Sequence, residues 1–209
     1  MKRTLIGILL AVSLLFSPVA VNSEIETLSE GLIVINGAIL EGSYLEFVTA
    51  TKDKSIKHWD VMIHSSGGDA FAAIGIINRI KAMKKGGVTF TTFTESKAFS
   101  ASAYIFLMGD RRIVVRGASL MVHTMLQQII PGAIKIREEA YPSTTAMQVR
   151  MDIEIGERFR EVTGCTELVA RYWLYGEMPD GSRVAEGAQF MSAETAYNMN
   201  VATEYISYE

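Results

Sequence analysis

"IHSSGGDAFAAIGIINRI", residues 63–80, decides the fold. It joins the end of an apolar run to a run with helical spacing and puts Gly67 and Gly68 at the joint. Upstream, "WDVMIHSS" (59–66) has the composition of a strand. Downstream, Phe71, Ile74, Ile77, Ile80 and Met83 recur every three or four residues, which predicts a helix with one apolar face. Lys81, Lys84 and Lys85 lie near its end, and Gly86-Gly87 stops it. A strand that runs straight into a helix is half of a crossover unit, the building block of a parallel sheet.

The same alternation continues on both sides. "GLIVINGAIL" (31–40) reads as a strand and an Asn-Gly turn, with helical potential from Tyr44 to about Lys52. "VTFTTF" (88–93) is strand-like, "ASAYIFLMG" (101–109) is a buried helix, and "RIVV" and "SLMVH" are further short strands. Beyond Pro131-Gly132 a charge-rich segment predicts one or two amphipathic helices around Pro142, and "SAETAYNM" (192–199) predicts a short helix. No linker interrupts this pattern, so residues 24–209 read as one α/β domain of mostly parallel strands.

The first 23 residues differ in kind. Lys2 and Arg3 precede the uncharged "TLIGILLAVSLLFSPVAVNS", and Glu24 is the first acid. A basic start, an apolar stretch and a small-residue exit are the marks of a secretory signal, which predicts an exported protein, periplasmic or secreted. The uncharged run of 20 residues also has the length of a spanning helix, so an uncleaved N-terminal anchor is the alternative.

Composition excludes several function classes. Apolar residues make up 49% and charged residues 21%, a globular balance. Removing Lys2 and Arg3 from the 20 basic side chains leaves 18 against 23 acidic ones, a net charge near −5 that argues against nucleic acid as a partner. Cys165 is the single cysteine, so no intramolecular disulfide or cysteine-rich metal site forms. His64, Asp69 and His123 have no metal-ligand spacing, no Lys-Ser/Thr pair follows the glycines, and no cofactor or metal is expected.

The chemistry-bearing residues lie in three stretches. Glycines at the carboxyl end of a strand allow close backbone approach to a ligand, and N–H groups ahead of a helix favour a developing negative charge. Ser100 and Ser102 stand at the start of an apolar helix, where a serine is either a cap or a nucleophile beside an oxyanion site. His123 ends another strand-like run.

Together "IHSSGG" (63–68), "KAFSASAYIFLMGD" (97–110) and "LMVH" (120–123) resemble the Clp protease proteolytic subunit family, within the wider crotonase-like group. "FMSAETA" (190–196) resembles a later landmark of the same family. The resemblance implies a spiral of βαβ units with a protruding handle helix, here about 134–162, and a ring-shaped homo-oligomer. It implies a serine endopeptidase in which Ser100 attacks the scissile carbonyl, His123 acts as base, and the N–H groups of Gly68 and Ala101 bind the oxyanion. Ser100 fits better than Ser102, because it keeps the family's steps to Gly109 and His123.

Three departures stand out. Ser66 replaces a proline of the family loop, and Asn200 replaces a glycine after the last helix. The histidine-orienting aspartate has no clear counterpart: counting back from "FMSA" lands on Ala188, and counting forward from Thr163-Gly164 lands on Glu177. Glu177 is preferred as the third member, with Asp180 and Glu186 as alternatives. The implied partner is a peptide or unfolded protein, with an ATP-dependent unfoldase only for a cytoplasmic chain. Two rival readings are a signal-peptide-peptidase-like Ser-Lys enzyme and a catalytically inactive scaffold or binding protein with the same fold.

Overall fold

The computed structural model describes residues 24–123, 142–180, 182 and 189–208. The segment 1–23, the first part of the expected handle (134–141) and Glu186 lie outside the described residues.

In chain order the elements are β1 (Glu24–Ser29), β2 (Leu32–Asn36), α1 (Ser43–Ala50), β3 (His58–His64), α2 (Ala70–Lys85), β4 (Thr89–Thr94) and β5 (Lys97–Phe99). Then come α3 (Ala101–Phe106), β6 (Arg111–Val115), β7 (Ser119–Val122), α4 (Pro142–Thr163), α5 (Glu167–Tyr175), β8 (Gln189–Ser192), α6 (Ala193–Asn198) and β9 (Glu204–Ile206). One sheet has the order β1-β2-β3-β4-β6-β9, and every pairing in it is parallel except β1 with β2. A second sheet, β5-β7-β8, pairs β5 with β7 in parallel and β7 with β8 antiparallel. The fold is therefore mixed α/β with mostly parallel strands.

β2 and β3 bury alternate side chains, β-branched and aromatic ones at their centres, and β4 buries consecutive ones: Ile33, Ile35, Val61, Ile63 and Phe90 are all essentially inaccessible. Arg112 of β6 is also buried, and its guanidinium donates to the carbonyls of Val201, Gly109 and Asn200 at 2.7, 3.0 and 3.1 Å. Burial, followed by the nearby charge of Arg158, lowers its pKa to about 10. This cation ties β6 to the turn before β9, where Asn200 takes a left-handed conformation at φ 59°.

Helix α2 corrects one expectation. Of the expected stripe, Ile77 and Ile80 are buried and Met83 packs against the core, but Phe71 and Ile74 are not core residues, and Ala72, Ala73 and Ile76 complete the core face. Phe71 is 45% exposed, and with Ile74 it lines a cavity. The helix is apolar on two faces because one packs on the sheet and the other forms the wall of a site. Helix α4 starts at Pro142, a residue suited to the first helical turn, and packs Met151, Ile155 and Phe159 inward.

Candidate active site

The site is assembled by strand register. The end of β3 joins β5 through a parallel bridge between Ser65 and Ala98, with Ser65 N–H donating to Lys97 O and Phe99 N–H to Ser65 O. β5 pairs with β7 so that Phe99 faces Met121. Ser100 follows β5 and His123 follows β7, so the two side chains leave neighbouring parallel strands at their carboxyl ends. Imidazole Nε2 of His123 lies 2.7 Å from Ser100 Oγ, a hydrogen bond.

Ser100 occupies the N-cap position of α3, but its side chain makes no capping bond. Its backbone is at φ 54°, ψ −124°, the mirror-image turn conformation that a non-glycine residue adopts at a cost of roughly 1–3 kcal/mol. The strain is offset by Ser100 N–H donating to Met121 O at 2.8 Å and by Ser100 O accepting from Ala103 N–H at 2.9 Å. Ser102, by contrast, is fully buried and donates to Ser65 O at 3.0 Å and Phe99 O at 2.8 Å. Ser102 braces the turn that presents Ser100.

The glycine pair is pressed against this turn. A Cβ on Gly67 would stand 2.6 Å from Phe99 O and 2.8 Å from Ser100 Cβ. One on Gly68, whose φ is +146°, would stand 2.2 Å from Ile39 O. No side chain fits at either place. Among the described residues, no acceptor takes the N–H of Gly68 or of Ala101. Both residues line the cavity with Ser100 and His123, so two free donors stand beside the serine.

That cavity has a volume of about 850 Å³. Its walls come from α2 (Phe71, Ile74), α3 (Tyr104) and α4 (Met147, Met151, Ile155). Lys81 and Glu154 bridge α2 and α4 at its outer edge with an ion pair of 3.2 Å. An apolar trench of this size with a few convergent polar groups suits an extended organic ligand.

The remaining sequence candidates fall elsewhere. Both oxygens of Glu177 accept from Arg171 Nη2 at 2.8 Å, and Glu177 does not line the cavity. Asp180 accepts from Ser182 N–H at 2.9 Å and from its hydroxyl at 2.6 Å, which holds its carboxyl below the usual range. Lys97 is the cation nearest Ser100 in sequence, and its ammonium donates to Ser66 Oγ at 2.9 Å rather than to Ser100. His64 contacts Ser96 Oγ. No group of three or more metal-ligating side chains occurs among the described residues. Tyr104, which also lines the cavity, carries no sequence signal beyond its place in an apolar helix.

No curated protein matches the chain. The family model described as Clp protease matches residues 23–165. This match spans the glycine loop, the Ser100 turn, His123 and α4, and covers more than half of the sequence: the chain belongs to the Clp protease family, whose members act on peptides.

Proposed function

We propose that the protein is a serine-type endopeptidase that uses Ser100 and His123. The observation that carries this reading is the 2.7 Å contact of His123 Nε2 with a serine hydroxyl that caps nothing and sits on a strained turn. In the first step Ser100 Oγ attacks the scissile carbonyl while His123 Nε2 takes its proton. The carbonyl oxygen becomes an oxyanion that accepts from the N–H groups of Gly68 and Ala101. His123 then gives the proton to the leaving amine, and water repeats the sequence to release the acyl group. No lysine meets Ser100 among the described contacts, which favours this scheme over a Ser-Lys dyad.

The substrate is an extended peptide or unfolded segment, laid in the trench between α2 and α4. Assembly into a homo-oligomeric ring accords with family membership and with the exposed apolar side chains of α4, Met147, Val149 and Ile153. The basic and apolar character of residues 1–23 supports export. An exported enzyme meets no ATP and works without an unfoldase, and cell fractionation tests that location.

Labelling of the purified protein with a fluorophosphonate probe is the decisive experiment. Wild type and Ser102→Ala are expected to label, while Ser100→Ala and His123→Ala are not. Absence of labelling in folded, assembled wild type would instead favour a scaffold.

A further inference from the structure

Ser66 is exposed and lines the same cavity as Gly68, Ser100, Ala101 and His123. Its hydroxyl oxygen accepts from the Lys97 ammonium at 2.9 Å. An ammonium has three donors and no acceptor, so the Ser66 hydroxyl proton cannot be given back to Lys97. Among the described residues no acceptor takes that proton. Lys97 opens β5, three residues before Ser100, and pairs with no carboxylate among the described residues. It does not itself line the cavity, so it meets the site through Ser66.

The pair is not needed to shape the loop. Ser65 bridges to Ala98 of β5, and Ser65 Oγ accepts from Gly67 N–H at 3.0 Å. Ile39 N–H donates to Gly67 O at 2.9 Å, and Ile39 O accepts from Asp69 N–H at 2.8 Å. One more side-chain hydrogen bond near solvent adds at most about 1 kcal/mol to such a scaffold. Its larger effect is on the hydroxyl. An oxygen that accepts from a cation makes its own O–H a stronger donor, because linked hydrogen bonds polarise one another.

We propose that the Ser66 hydroxyl is a third donor to the oxyanion formed when Ser100 attacks, and that Lys97 is a positioning residue acting through it. Ser66 stands two residues before Gly68, whose N–H is one of the two main-chain donors, and both residues line the space beside Ser100. Lys97 occupies the Ser66 oxygen, which leaves the proton to the trench, and its charge favours the negative oxygen as it develops. This inference rests on the Ser100–His123 reading above.

The test uses the full-length protein and the rate of fluorophosphonate labelling, resolved into the maximal inactivation rate and the probe concentration at half-maximum. The phosphoryl oxygen of the probe takes the place of the carbonyl oxygen and gains negative charge as Ser100 Oγ adds to phosphorus. Ser66→Ala is expected to lower the maximal rate about tenfold and leave the half-maximal concentration unchanged within about twofold, as befits a donor used in the transition state. Lys97→Met is expected to lower the maximal rate about threefold, and Lys97→Arg, which keeps the charge and a donor, to recover most of that loss. The double variant Ser66→Ala/Lys97→Met is expected to fall no further than Ser66→Ala, because the ammonium acts through the hydroxyl.

A wild-type maximal rate in Ser66→Ala would overturn the inference while leaving Ser100 as nucleophile. So would a loss confined to the half-maximal concentration, which marks ground-state binding. An unaffected Lys97→Met, a loss that Lys97→Arg does not repair, or losses that add in the double variant would each overturn the role of Lys97. If Ser66→Ala does not fold, Lys97→Met and Lys97→Arg decide by themselves. Wild type that fails to label overturns the parent reading and this inference together, whereas labelled wild type with unaffected variants overturns the inference alone.

Discussion

The turn at Ser100 and the segment around Glu177 both carry residues that the sequence marks as catalytic, and they are held by different means. Ser100 is fixed by main chain: two parallel strands, a close glycine pair and a hydrogen bond from its own N–H to Met121 O. Glu177 is fixed by a side chain, the guanidinium of Arg171, on a surface where that arginine is half exposed. Strand register leaves no freedom about where Ser100 and His123 point. A charge pair near solvent contributes only about 0–1 kcal/mol and places a carboxylate wherever its partner happens to be. Position imposed by backbone is the sturdier basis for catalysis.

The sharpest way to break this contrast is at the serine itself. Ser100→Ala and His123→Ala are each expected to lower peptide hydrolysis by about 10³-fold or more, because the two act as one unit. Residual turnover within tenfold of wild type, measured on a fluorogenic peptide, would remove the dyad from the chemistry. Next in size is Gly68→Ala. Its Cβ would collide with Ile39 O at 2.2 Å at a φ that disfavours side chains, so a loss of about 3 kcal/mol in urea unfolding is expected, with labelling slowed in whatever folds. Wild-type stability and labelling in that variant would show that the loop is not pressed as described.

A smaller effect is expected at Asp110, which joins the end of α3 to the end of α2 by a 2.6 Å pair with Lys84. Burial would raise its pKa, but the Lys84 ammonium and the Phe90 N–H outweigh that and hold it below the ordinary value. A carboxyl with a lowered folded pKa adds stability above its unfolded pKa and loses it as pH falls through the folded value. Asp110→Asn should therefore cost no more than about 1 kcal/mol at neutral pH, since the pair is partly screened, and flatten the fall in melting temperature on acidification. An unchanged acid limb would show that the pair contributes nothing. The smallest effect is expected from Glu177→Gln: less than twofold in labelling rate and under about 1 kcal/mol in stability. A large kinetic loss there would mean that Glu177 leaves Arg171 during turnover, and would make its segment as catalytic as the Ser100 turn.

The same division explains what could be read from sequence. β2, β3, β4 and α2 announce themselves through composition and glycine stops, and the steps from Ser100 to Gly109 and His123 carry the two side chains that the structure brings together. β5, β8 and β9 are three or four residues long and exist because tertiary neighbours offer a ladder, which no local pattern records. The first two members of the apolar stripe of α2 miss the core for a related reason, while Ile77 and Ile80 reach it. Phe71 and Ile74 satisfy helical spacing equally well whether they face a core or a trench. The burial of Asp152 is likewise illegible, because it stands among Arg150, Glu154 and Glu157, which are exposed.

The conformation of Ser100 has a consequence for inheritance. At φ 54° a glycine would sit without strain, so Ser100→Gly removes the hydroxyl and relieves roughly 1–3 kcal/mol of backbone cost in one substitution. Folding and chemistry therefore pull this codon in opposite directions. A descendant that no longer cleaved peptides would have a short, stabilising path away from serine, and the serine this chain carries is a residue that selection for stability alone would discard.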